Sequence, residues 1–206
     1  MQLRHSTELT SERYVTQKAW RQASLNRCPR HPQGGCGFAR HGTYPRVDPP
    51  GMRVARWYCP DAHRTFSLLP DCLAARLRGS LDEVERVVVT VEESRSVEAA
   101  ASALRLEVEL PGALRWVRRR LSGVRAALLA LITLMPGRLG TVPEVRAVRA
   151  ILGTERALRA LREIGAAHLP TLPRPLGFRP APRRAAGGDG RFQHETGPDP
   201  PPDSRY

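Results

Sequence analysis

The sequence predicts a small α+β protein with a β-hairpin segment near its N-terminus, an all-α segment after it, and a disordered C-terminal tail. Glycine and proline interrupt residues 28–70 so often that only short strands fit there. Residues 71–168 carry apolar side chains at helical spacing. Residues 169–206 are rich in proline and glycine and have too few apolar side chains to offset the entropy of ordering. Residues 1–27 carry no long pattern and are predicted to be a weakly ordered lead.

The hairpin is predicted from two short runs that lie between the chain breakers. Phe38–Tyr44 and Arg53–Tyr58 both have the aromatic and β-branched content that is typical of strands. The proline-rich stretch Pro45–Gly51 separates them and is the expected connection. We therefore expect an antiparallel pair over these residues.

Four helices are predicted after the hairpin. The run Ser-Leu-Asp-Glu at Ser80 is a capping box that begins the first helix, and Ser96 begins a short second one. Pro111 suits the first turn of a third helix, whose apolar residues recur at steps of four and three. Pro143 begins a fourth, in which Gly153 is a weak point.

The charge balance favours a polyanionic partner. Lysine and arginine number 33 against 20 acidic residues, which leaves a net charge of +13, and such a surplus attracts nucleic acid through counterion release. Lys18 is the single lysine, so a GC-rich coding bias could also account for part of the arginine content. Aromatic residues make up only 5%, too few for the stacking surface of a single-strand binder. Double-stranded DNA is the expected partner.

The sequence also predicts a cytoplasmic location. Residues 1–27 lack the apolar region of a secretory signal. The longest apolar run, Ala126–Met135, falls far short of the roughly 20 residues that cross a bilayer, so no membrane partner is expected. Cysteines in a reducing compartment are more often metal ligands or free thiols than disulfides.

Four side chains are predicted to bind one structural zinc ion. Cys28 and Cys36 flank a turn-rich loop, and Cys59 and His63 form a second pair beyond the predicted hairpin. Two turns that supply two ligands each are the layout of a zinc ribbon. His31 is an alternative to Cys36, which is favoured because glycines flank it. The other interpretation is that these are reduced, buried cysteines and a surface histidine.

The helices fit a DNA-reading helix-turn-helix. A short second helix followed by an arginine-rich third helix is the order in which the third element enters the major groove. The alternative is that this arginine-rich face is only the solvated side of a core helix. The predicted DNA-contacting residues on the third helix and on the ribbon are Arg115, Trp116, Arg118, Arg119, Arg120, Arg40, Arg56 and Arg64.

Two runs resemble a known family. Cys-Gly-Phe-Ala-Arg-His-Gly-Thr-Tyr from Cys36, and Arg-Trp-Tyr-Cys-Pro-Asp-Ala-His-Arg-Thr-Phe-Ser-Leu-Leu-Pro-Asp from Arg56, are similar to the zinc ribbon that begins many insertion-sequence transposases and a related transposase-like domain-of-unknown-function family. The resemblance covers roughly residues 28–121. It implies a zinc ribbon followed by a helix-turn-helix, with Cys28, Cys36, Cys59 and His63 as ligands; the helices correspond by order only.

No catalytic activity is expected. The transposases carry a catalytic domain in which three carboxylates bind two metal ions, and such an α/β domain needs well over a hundred residues. The acidic residues between Leu121 and the tail are Glu144, Glu155 and Glu163, and all lie on helical patterns.

The sequence therefore predicts a non-catalytic, zinc-stabilised DNA-binding protein without a small-molecule substrate. It would be an accessory factor, a remnant or a regulator related to a mobile element, with a transposase or a second copy of itself as a further partner. The alternative function is a zinc-ribbon scaffold for protein–protein interaction.

Overall fold

The computed structural model describes residues 1–105 and 112–179 and has a small α+β fold. The strands form one sheet in the order β1-β4-β3-β2. Their bounds are Gln2–His5 (β1), Ala39–Pro45 (β2), Arg53–Cys59 (β3) and Arg64–Pro70 (β4). The helices are Ser11–Thr16 (α1), Leu81–Glu93 (α2), Val97–Arg105 (α3), Ala113–Leu134 (α4), Val145–Leu152 (α5) and Ala157–Ile164 (α6). Within these described ranges, none of the helices combines the length and the apolar character that a membrane crossing requires.

The predicted hairpin is present. Strands β2 and β3 pair antiparallel, from Ala39 opposite Tyr58 to Pro45 opposite Arg53. The connection between them is the predicted proline-rich stretch. Side chains alternate along β3, so that Ala55, Trp57 and Cys59 are buried against the core.

The sheet has two strands that the sequence analysis did not assign. A turn after Cys59 leads into β4, which pairs antiparallel with β3, and β1 then pairs parallel with β4. The last three residues of β4, Leu68–Pro70, are all buried. They therefore lack the alternation of buried and exposed side chains by which a half-buried strand is recognised in a sequence. The partner of β1 lies more than 60 residues away, with Leu3 opposite Leu68. Local patterns therefore gave no signal for either strand.

The prediction that residues 1–27 are weakly ordered is wrong. Besides β1, this segment contains α1, which is capped by the Thr10 side chain accepting the Arg13 N–H at 3.3 Å. Tyr14 and Trp20 are buried, with ring centroids 6.2 Å apart. The lead is thus anchored by two aromatic rings and a strand, which short sequence windows do not reveal.

The helical segment follows the predicted order. Ser80 Oγ accepts the N–H of Glu83 at 3.0 Å and so caps α2. Helices α2, α3 and α4 pack against one another. The predicted fourth helix is instead two, because Gly153 takes a left-handed conformation with φ of 62° and ends α5 before α6 begins. The predicted role of Pro111 lies outside the described residues.

The first part of the predicted disordered tail is packed. Leu169, Leu172, Leu176 and Phe178 are buried in the same core that contains the sheet and the helices. Residues 169–179 therefore do not belong to a tail, and the predicted disorder of residues 180–206 lies outside the described residues. One continuous core also joins the hairpin segment to the helical segment.

Shortening Leu172 should destabilise the whole protein. Its side chain is 0% exposed, so Leu172→Ala leaves a cavity that costs about 3 kcal/mol of unfolding free energy. The matched control is Arg179→Ala, an exposed site on the same segment, with an expected change below about 0.5 kcal/mol. Urea unfolding followed by circular dichroism measures both, and equal small effects would show that the segment does not pack as described.

Candidate metal centre

Four side chains converge at the end of the hairpin where β3 finishes at Cys59. The ligand atoms of Cys28, His31, Cys36 and Cys59 all lie within 4.8 Å of one another. The three cysteines are buried and His31 is partly buried. This cluster could hold a metal ion.

The distances between the donor atoms fit a tetrahedral ion. His31 Nδ1 lies 3.6 Å from Cys28 Sγ and 3.4 Å from Cys59 Sγ. Zinc–sulfur bonds of about 2.3 Å and zinc–nitrogen bonds of about 2.0 Å at the tetrahedral angle place sulfur and nitrogen about 3.5 Å apart. The donor set of three thiols and one imidazole therefore has the size and chemistry of a closed zinc site.

One loop supplies three of the four donors. Its first turn is closed by the His31 N–H, which donates to the Cys28 carbonyl at 3.2 Å, and a second turn runs from His31 to Gly34. Gly34 and Gly35 have φ values of 88° and 81°, a conformation that L side chains rarely adopt. These glycines let the chain fold back so that Cys36 reaches the same point as Cys28 and His31.

Cys59 supplies the fourth donor and connects the loop to the sheet. It is the last residue of β3, and its Sγ accepts the N–H of Ala62 at 3.4 Å from the turn that follows. A bound ion would therefore cross-link the loop to the turn between β3 and β4.

The thiols differ in pKa without a metal. Burial acts to raise the pKa of Cys28, but backbone hydrogen bonds from Arg30 and His31 and the contacts with the His31 and Cys59 side chains lower it to about 7. Burial raises the pKa of Cys36 to about 11, and the neighbouring thiols of Cys28 and Cys59 add to that rise. Metal binding would deprotonate these thiols, because thiolates are the ligand form.

The structure corrects the predicted ligand set at one position. His63 lies outside the cluster: it is exposed, has a φ of 46°, and its Nδ1 is 3.5 Å from the Tyr58 hydroxyl. His31, the alternative to Cys36, is instead present together with Cys36. The donors are divided three and one between the two turns, whereas the sequence analysis assumed two and two. Cys72 is apart from them and buried in the core.

Arg120 and Trp116, two of the predicted DNA contacts, are part of the helix packing. Arg120 is 3% exposed, its guanidinium lies 3.6 Å from the Trp116 ring centroid, and it donates to Glu83 Oε1 at 3.1 Å and to the Arg78 carbonyl. The arginine therefore joins α4 to the start of α2. Periodicity placed it on the polar face, and only the packing of α2 against α4 buries it.

The exposed face of α4 retains the other arginines. Arg115 and Arg119 are exposed, and Arg118 is exposed but pairs with Glu98 at 2.8 Å. Arg125, which the sequence analysis did not single out, is also exposed on this helix. It lies seven residues, or two turns, after Arg118 and therefore on the same side of the helix as that arginine.

The three predicted sheet arginines have different surroundings. Arg40 donates to the carbonyls of Trp20 and Arg21 and lies 5.3 Å from the Trp57 ring centroid. Arg56 lies 5.9 Å from the Tyr44 ring centroid. Arg64 is exposed at the start of β4. Arg40 therefore stabilises the fold, whereas Arg64 remains available.

The metal cluster and α4 adjoin opposite ends of the hairpin. Cys59 ends β3 beside the cluster, while Arg46, at the other end of the hairpin, donates to the Leu77 carbonyl, next to the Arg78 carbonyl that accepts from Arg120 of α4. A seven-residue strand spans about 23 Å. The ion would therefore support the sheet rather than contact the arginines of α4.

No known protein family, curated protein or solved structure matches this chain.

Proposed function

We propose that the protein is a non-catalytic, zinc-stabilised double-stranded DNA-binding protein. The observation that carries the proposal is the exposed basic face of α4, the third of three helices that pack on one another. Arg115, Arg119 and Arg125 are exposed on it and have no acidic partner among the described residues. The predicted contacts at Arg118, Arg56 and Arg64 are retained as secondary contacts, and Arg120, Trp116 and Arg40 are not.

The proposed ion is zinc in a structural role. Three thiols and one imidazole are soft or borderline donors, which favour zinc over magnesium or calcium. Four protein donors leave no position for a substrate or a reactive water, as in structural rather than catalytic zinc sites.

The size of the α4 face suits a major groove. Arg115 and Arg125 are ten residues apart, so the face is about 15 Å long at 1.5 Å per residue. Guanidinium groups along that length can reach phosphates or the O6 and N7 atoms of guanine over about four base pairs. This is the placement of a recognition helix in a helix-turn-helix.

A transposon-related role is part of the proposal. What supports it is the order of a β-hairpin segment followed by α2, α3 and α4 between Ala39 and Leu134. The protein would then assist a transposase, regulate a mobile element, or derive from a transposase that has lost its catalytic domain.

The test compares two triple variants. Arg115→Ala, Arg119→Ala and Arg125→Ala together should weaken binding to a duplex by about 30-fold or more. Loss of three phosphate contacts should also reduce the slope of log K against log salt by about 3. The control combines Arg13→Ala, Arg138→Ala and Arg146→Ala, exposed arginines on other elements that remove the same net charge. Fluorescence anisotropy over a salt series measures both.

Equal losses in the two triple variants would mean that binding depends on net charge and not on α4. Wild-type protein that does not bind DNA, or binds it without salt dependence, would contradict the proposal and favour a protein-interaction scaffold.

A further inference from the structure

A cavity of about 530 Å³ opens beneath the edge strand β1, between the sheet and the C-terminal segment. Its accessible apolar surface comes from Met1 and Leu3 on one side and from Ala166 and Pro170 on the other, above buried side chains of the core. It is separate from the candidate metal cluster, although Arg30, which lies in the loop of residues 28–37 that supplies three of the donors, also lines the cavity. Its volume lies within the range of about 300–1,000 Å³ that small-molecule sites have.

The polar lining of the cavity is cationic. Arg4, Arg30, Arg64 and Arg76 all line it, and none of the described lining residues is acidic. Arg4 is neutralised by Asp71, to which it donates at 2.7 Å. Arg76 donates its Nε to the Phe178 carbonyl at 2.8 Å, which leaves its charge uncompensated.

Two of these arginines have no partner in the part of the chain that the structure describes. Neither Arg30 nor Arg64 makes a side-chain hydrogen bond or an ion pair there, and both are exposed at the cavity mouth. Unpaired guanidinium groups that share one opening repel each other unless an anion lies between them. The electrostatics of the cavity therefore favour an anionic occupant.

A further feature lies at the rim of the cavity. Arg76 has a φ of 54°, a left-handed backbone that a non-glycine residue adopts at some cost, and it is held at the rim.

We propose that this cavity binds an organic anion with an apolar body. A carboxylate or phosphate headgroup would lie against Arg30, Arg64 and Arg76, because guanidinium forks match both groups. An acyl or aryl body would cover the apolar surface around Leu3 and Pro170. This ligand departs from the sequence-based expectation of no small molecule, and it does not depend on DNA binding by α4.

Titration calorimetry on the zinc-loaded full chain tests the ligand class. Decanoate and decyl phosphate carry the two headgroups on one body, decanol lacks the charge, and inorganic phosphate lacks the body. Decanoate, decyl phosphate or both should bind with one-to-one stoichiometry and at least about tenfold more tightly than decanol and inorganic phosphate. Which of the two binds better identifies the headgroup.

Variants locate the site. Arg30→Ala with Arg64→Ala should weaken binding of the better ligand by at least about tenfold. Arg13→Ala with Arg27→Ala, which removes two exposed arginines outside the cavity, should leave it unchanged. Ala166→Glu, at an exposed lining position, should weaken it through like charge. If the Arg30 substitution lowers the zinc content, Arg64→Ala alone is the test, since Arg64 lies on β4.

Two results would overturn the inference. Decanol binding as tightly as decanoate and decyl phosphate would show that the arginines do not recognise a headgroup. Failure of both decyl anions to bind, or binding that Arg30→Ala with Arg64→Ala leaves unchanged, would show that no such ligand site exists.

Discussion

Cys59→Ser should abolish zinc binding and destabilise the end of the sheet next to the loop of residues 28–37. Cys59 is the donor that joins the loop to β3, so its loss leaves three donors, all on one loop. Structural zinc contributes about 10 kcal/mol or more to small zinc-finger domains, but here a continuous core remains. We therefore expect the melting temperature to fall by about 10 °C, a loss of a few kcal/mol at this chain length.

The effect should be largest near the ligands. Hydrogen exchange should accelerate most at residues 28–37 and at the turn after Cys59, and less at α2 and α4, because these helices are joined to the ligands only through the shared core. Metal analysis and calorimetry of wild type and variant provide the two readouts. Wild-type protein that purifies without zinc and does not take it up would contradict the proposed site.

The two histidines provide the matched comparison. His31→Ala should reduce zinc affinity by at least about tenfold, because a ligand is lost. His63→Ala should leave zinc affinity unchanged, because His63 lies outside the cluster. The reverse result would restore the ligand set that the sequence favours.

Arg162→Met should destabilise the protein about as much as Cys59→Ser. Arg162 is 0% exposed and donates to the carbonyls of Asp71, Leu73, Pro175 and Leu176. It therefore ties the C-terminal segment and the segment before α2 to α6. Burial lowers its pKa to about 10, so the side chain remains charged at neutral pH.

Methionine keeps the length of the side chain but leaves these carbonyls without their donors. We expect a loss of about 3–5 kcal/mol in the free energy of unfolding, as for a disrupted buried charge network. Arg146→Met, at an exposed site on α5, should change it by less than about 0.5 kcal/mol. Urea unfolding at pH 7 measures both. A change below about 1 kcal/mol for Arg162→Met would show that water or rearranged backbone satisfies these carbonyls.

The elements that could be predicted are those with short-range signals. The hairpin follows from two β-rich runs on either side of Pro45–Gly51, and the start of α2 follows from Ser80 and Glu83. The break at Gly153 was visible as a weak point, but whether the chain would continue as one helix depended on Ala157 and Leu158 packing against α2. Their N–H groups bind the buried Glu85 carboxylate at 3.0 and 2.9 Å, a contact across more than 70 residues.

The candidate metal site was partly predictable for the same reason. Cys28, Cys36 and Cys59 follow from residue type and spacing, and all three belong to the cluster. The choice between His31 and His63 depends on the direction in which each side chain leaves its turn. His63 follows Cys59 closely in sequence but has a φ of 46° and lies beside Tyr58.

By itself the sequence determined the β2–β3 hairpin, the order of α2, α3 and α4, the basic charge and the cysteine donors, because these depend on residue identity and on contacts a few residues apart. The tertiary structure alone decided that residues 1–27 and 169–179 belong to the core, that His31 rather than His63 joins the cysteines, and that Arg120 is buried while Arg115 and Arg119 are exposed. Each of these depends on which distant segment covers a side chain, and burial of that kind is set by the packing of the whole chain.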